Sequence, residues 1–106
     1  MKLIGHRVRV SYDSGAEYQV EYLSADKLRW SAVAGPTTGN SGIEEPTILE
    51  LRDGVYWLNW LEADGTSISQ VLDLNDLSLS EFSTYTTDTG DREKSFQQPA
   101  VVVLEQ

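Results

Sequence analysis

The chain reads as an all-β domain, a small antiparallel up-and-down barrel, and three observations predict it. Apolar and polar residues alternate with period two through most of its length. The alternating segments are rich in Val, Ile, Thr, Tyr and Trp, and the stretches between them carry Gly and Asp turn chemistry. Helical spacing is not sustained: residues 72–81 could fit one turn, but Asn75-Asp76 followed by the alternating Leu77 and Leu79 favours turn then strand. A length of 106 residues fits one domain with a single core, so residues 1–106 are taken as one unit.

About eight strands are expected, over residues 6–12, 16–23, 26–33, 46–51, 54–63, 66–73, 77–86 and 92–104. The first ends at Asp13-Ser14-Gly15, a turn in which Gly supplies the left-handed conformation. In the second, Tyr18, Val20 and Tyr22 alternate with Glu17, Gln19 and Glu21, which turns the aromatic row inward. The third, entered through Ser24-Ala25-Asp26, sets Leu28, Trp30 and Ala32 against Lys27, Arg29 and Ser31. A polar stretch from Gly35 to Gly42 follows, too flexible for a core, which reads as a surface loop or a lid joining the third and fourth strands.

The fourth and fifth strands flank Asp53-Gly54, and the fifth and sixth flank Ala63-Asp64-Gly65. The fifth is apolar on both faces, with Tyr56, Leu58, Trp60 and Glu62 on one and Val55, Trp57, Asn59 and Leu61 on the other. If the first set faces inward, Val55, Trp57 and Leu61 form an outer apolar patch, and a homodimer is expected to cover it. Asp88-Thr89-Gly90-Asp91 joins the last two strands. A meander of this size with no covering helix hides its edges most directly by closing into a barrel, a sandwich being the alternative.

Composition removes several function classes. There is no cysteine, which excludes disulfides, cysteine nucleophiles and thiolate metal sites. A formal charge of -9 repels phosphate backbones and anionic lipid, so neither nucleic acid nor membrane is an expected partner. No apolar run has the length of a signal peptide or a membrane span, and a cytoplasmic location is the default. His6, the single histidine, reads as a surface or rim residue with no second ligand to complete a metal set. Asp73-Leu74-Asn75-Asp76-Leu77 lacks the Gly and terminal Glu of a calcium loop. The Gly-rich loop lacks the Lys-Ser or Lys-Thr pair of a phosphate cradle. No cofactor is expected.

The runs Val10–Val20, Leu28–Ala32 and Asp53–Thr66, with their Gly-Val-Tyr, Trp-x-Glu and Gly-Thr elements, carry a resemblance over residues from about 5 to 80. The chain resembles the phenolic acid decarboxylases and the related MoaF-like domains, small lipocalin-like (calycin) barrels. That resemblance implies a proton donor at Glu62, just after the central Trp, and a substrate-holding hydroxyl at Tyr12, just before the first hairpin turn. It departs from the decarboxylase pattern in two places: Val10 stands where the family has a second Tyr, and no basic residue occurs between Gly35 and Gly42. Without that loop Arg a substrate carboxylate loses its bidentate partner as it leaves water, so the MoaF-like branch fits better.

Two function classes follow. As a binding module, the barrel would hold a small apolar or aromatic ligand between Tyr18, Trp30, Tyr56 and Trp60, with Tyr12 and Glu62 orienting it; a hydroxyl or a cationic group would suit such a wall. As a lyase or isomerase, Glu62 would move a proton, its pKa raised by burial against Tyr56 and Trp60, while Tyr12 polarised the substrate. A third reading is a non-catalytic interaction protein that works through its outer Trp57 patch. An eight-stranded barrel is narrow enough to be packed solid or to hold one ligand, and the sequence leaves that choice open.

Overall fold

The computed structural model describes residues 2–104, and among them it has no helix and ten strands. They are β1 (Arg7–Ser11), β2 (Glu17–Ser24), β3 (Lys27–Ala34), β4 (Ser41–Glu44), β5 (Thr47–Arg52), β6 (Val55–Leu61), β7 (Ser67–Asp73), β8 (Ser78–Thr86), β9 (Arg92–Gln97) and β10 (Ala100–Leu104). Every pairing is antiparallel, in one sheet of order β4-β3-β2-β1-β10-β8-β7-β6-β5, with β9 pairing β8 off that path.

The strand order itself requires the sheet to curl. β4 and β5 stand at opposite edges, yet only Glu45 and Pro46 lie between them in the chain, a reach on the order of 10 Å. One edge must therefore come round to the other, which makes a half-barrel whose seam has no ladder between β4 and β5 among the described residues.

Each of the eight expected strands is present, and two differences have clear causes. Residues 92–104 form two strands rather than one: β9 pairs β8, whereas β10 pairs β1 along five residues and meets β8 only at Ala100 opposite Ser78. Pro99 sits at the joint, where a residue without an N–H cannot serve a ladder and the chain changes partner. The other addition is β4, which begins inside the expected loop. Ala32 N–H to Asn40 O (2.8 Å) and Gly39 N–H to Ala32 O (3.0 Å) close the loop into a hairpin, and residues 41–44 then pair with β3.

Inward side chains follow the expected parity on β2, β3 and β6. Val8, Tyr22, Leu28, Leu58 and Leu72 are buried in one cluster with Leu3, Tyr56, Leu74 and Leu79. On the outer face of β6, Trp57 and Leu61 are exposed as expected, with Leu49 and Val71 paired on either side of Trp57. Val55 departs from this and is buried at 5% exposure. It pairs with Arg52 on one side and Asp73 on the other, and those two side chains meet in an ion pair (3.7 Å) that spans it.

The two ends of the barrel differ. At one, the segment before β1 folds across the opening: Leu3 is buried, its N–H bonds to the Tyr56 hydroxyl (3.2 Å), and Gly5 N–H bonds to Tyr22 O (2.8 Å). The other end is hollow.

Candidate functional site

Two hairpin turns of the same construction build the rim of the hollow end. Tyr12 N–H bonds to Ala16 O (2.9 Å) while Gly15 N–H bonds back to Tyr12 O (3.0 Å); Glu62 N–H bonds to Thr66 O (2.8 Å) while Gly65 N–H bonds back to Glu62 O (2.9 Å). Each turn needs its fourth residue in the left-handed region, with φ of 93° at Gly15 and 90° at Gly65, where a side chain would be strained. Tyr12 and Glu62 are thus equivalent positions of equivalent turns, one beyond β1 and the other beyond β6.

Between them opens a cavity of about 340 Å³. Tyr12, Tyr18 and Trp30 form one wall, Trp60 and Glu62 the opposite one, and Tyr22 and Leu28 line it deeper. The three rings of the first wall stand edge to face in sequence: Tyr12 to Tyr18 at 5.9 Å and 87°, Tyr18 to Trp30 at 6.0 Å and 77°. Five of the six residues expected at the site therefore share one cavity. Tyr56, the sixth, does not line it; it faces inward at the closed end, under Leu3.

Trp30 is held by β4. Its indole N–H donates to Glu44 Oε2 (2.9 Å), and its ring lies so close to Gly42, its ladder partner, that a Cβ there would fall 2.9 Å from three ring atoms. Across the cavity Trp60 donates to Glu62 Oε2 (3.1 Å). Burial raises the Glu62 pKa above its ordinary value; the Trp60 hydrogen bond opposes this, and the charges of Glu44, Asp64 and Glu81 add to it.

Glu81 and Gln70 complete the site, and the sequence reading missed both. The Tyr12 hydroxyl donates to Glu81 Oε1 (2.8 Å), and Gln70 Nε2 donates to the same oxygen (2.7 Å). Gln70 and Glu81 are ladder partners on β7 and β8, and both are buried, at 8% exposure each. Their signal lay in parity, because Gln70 shares a face with Ile68 and Leu72, and Glu81 with Leu79. Burial first, then the Glu81 charge and hydrogen bond, push the Tyr12 pKa far above the ordinary phenol value, so this hydroxyl remains a donor.

His6 lies outside the cavity, with its Nδ1 buried and unpartnered. Among the described residues no group of three or more His, Cys, Asp or Glu is placed to hold a metal ion. Nor, among the described residues, is any helix long and apolar enough to cross a membrane.

A family model described as MoaF-like matches residues 4–95. No curated protein matches the sequence. Among solved structures, the crystal structure of a protein from Burkholderia vietnamiensis, provisionally described as a beta-lactamase, is similar with a TM-score of 0.80 and 20% identity, over 98% of this chain and 97% of that one. At that identity the likeness shows the fold alone.

Proposed function

The chain belongs to the MoaF-like family, and on that premise we propose that it binds a small, largely apolar or aromatic molecule in the hollow end of its barrel. The observation that carries this reading is the 340 Å³ cavity itself, walled by Tyr12, Tyr18, Trp30 and Trp60. It lies in the size range of small-molecule sites and combines apolar walls with a few convergent polar groups, as such sites do.

A free carboxylate is a poor candidate ligand. The Tyr12 hydroxyl that would hold it donates to Glu81, no basic side chain lines the cavity, and a buried anion without a partner costs several kcal/mol.

Titration with neutral single-ring compounds, benzyl alcohol among them, tests the binding role through tryptophan fluorescence. Saturable binding is expected, weakened about tenfold or more by Trp60→Ala and unaffected by Phe82→Ser on the exposed outer face. Equal affinity in the wild type and Trp60→Ala would exclude this cavity as the site.

The raised pKa of Glu62 favours a second reading, a lyase or isomerase that uses this carboxyl as general acid. On that reading Glu62→Gln removes turnover while leaving substrate affinity within about twofold. Turnover that survives the substitution would discard it.

A further inference from the structure

We infer, resting on the binding role proposed above, that the ligand is an organic cation: an ammonium group carried on a body of about one aromatic ring, with Glu81 and Glu62 as its counter-charges.

The donors and acceptors of the cavity wall are unequally engaged. Both indole N–H groups are committed to carboxylates, Trp30 to Glu44 and Trp60 to Glu62. The Tyr12 hydroxyl and one Gln70 N–H are committed to Glu81. The second Gln70 N–H and the Tyr22 hydroxyl remain as donors beside a larger share of carboxylate oxygen and ring face, so a ligand that brings donors of its own fits this wall best.

Glu81 marks where they would go. It is more than nine-tenths buried, it lines the cavity, and both of its hydrogen bonds arrive at Oε1. Oε2 receives neither. A buried carboxyl on a cavity wall, with one oxygen accepting two hydrogen bonds and the other neither of them, is half of an ion-pair site.

Charge and shape agree with that reading. No Lys, Arg or His lines the cavity, whereas Glu62 and Glu81 do, and Glu44 stands behind Trp30. The charges of Glu44, Asp64 and Glu81 all act on Glu62, and a cation held between the carboxyls would relieve that like-charge repulsion. Tyr and Trp ring faces attract a cation within about 6 Å of the ring centre, most strongly where water is excluded. A cavity of 340 Å³ stands near the lower end of small-molecule sites, which limits the ligand to one ring and a short chain. A neutral hydroxyl would supply one donor and leave the repulsion in place; an anion would add to it.

The test is a titration of the full chain, by tryptophan fluorescence and NMR shift perturbation, with benzylammonium, benzyl alcohol and benzoate, three probes of similar size and different charge. Benzylammonium is expected to bind at least about tenfold more tightly than benzyl alcohol, with no saturable binding of benzoate. In Glu81→Gln the ratio of benzylammonium to benzyl alcohol affinity should shrink to about twofold, and Glu62→Gln, at the rim, should lower that ratio by less. Thermal unfolding of both variants checks that the barrel is retained.

If benzyl alcohol binds as tightly as benzylammonium, the cationic assignment fails while the cavity remains a binding site. A preference that persists undiminished in both variants overturns the role of the two carboxylates. If none of the three probes binds saturably, this inference and the binding role fall together.

Discussion

Along β6 the inward side chains run Tyr56, Leu58, Trp60 and then Glu62; along β7, in the opposite direction, they run Leu72, Gln70 and Ile68. The first half of that walk lies in the buried cluster under Leu3, and the second half lines the cavity. The same strands thus build a solid end and a hollow end within a few residues of each other. At the solid end Leu58 and Leu72 are at 0% exposure among other aliphatic side chains, and the interior contributes stability by burying apolar area. At the hollow end the rings are incompletely packed and carboxyls occupy the inward positions. Keeping space and charge there costs stability, a trade that the binding role proposed above would account for.

The largest effect expected from this contrast is on stability. Leu72→Ala should cost about 2–5 kcal/mol, because the solid end cannot collapse around the missing atoms. Trp60→Ala, despite removing a larger side chain, should cost less than Leu72→Ala, because its ring faces an existing cavity. Denaturant unfolding of the two variants decides the matter. Should Trp60→Ala prove the more destabilising, the hollow end is as tightly packed as the other and the contrast is lost.

An intermediate effect is expected where the hollow end leans on β4. Gly42→Ala pushes a Cβ into the Trp30 ring, which is held by its bond to Glu44 and has little freedom to withdraw. A loss of about 1–3 kcal/mol is expected, with a shift in tryptophan emission as the indole moves. An unchanged spectrum and midpoint would mean that β4 does not brace the wall.

The smallest effect concerns pH. Burial raises the Glu62 pKa in the fold, so folding favours its protonated form. The stability contributed by that preference is fully present below the ordinary value of 4.5 and is lost as pH rises through the raised value. Glu62→Gln removes the titration, and the Gln oxygen can still accept from Trp60. The variant should match the wild type near pH 4 and exceed it at neutral pH by no more than about 1 kcal/mol, because the side chain is only partly buried. A variant less stable than wild type at neutral pH would reverse the sign and show that the carboxylate is favoured in the fold.

Period-two alternation made the sheet legible and assigned inward faces on β2, β3 and β6 correctly. It could not assign depth. Tyr56 and Trp60 share a face and looked equivalent, but four residues of strand carry one to each end of the barrel, and height along the axis depends on the stagger of neighbouring strands rather than on local pattern. Glu81 was hidden for another reason. Parity with Leu79 turned it inward, yet a glutamate reads as a surface residue until Tyr12 and Gln70, distant in sequence, are seen to partner it. β4 has a glycine at its centre and no apolar alternation; its extended form comes from pairing with β3 and from the flat side of Trp30. Val55 was misread because its burial between Arg52 and Asp73 arises only once three strands are side by side.

The ladder between β1 and β10 joins Arg7 to Leu104, so the earliest strand of the sheet finds its second neighbour in the last one to be synthesised. Until then one side of β1 presents bare N–H and C=O groups, and the entropy of closing nearly the whole chain into a loop must be overcome before that pairing returns anything. Refolding of this barrel is therefore expected to wait on a long-range encounter, with the meander from β5 to β8 as its local starting point.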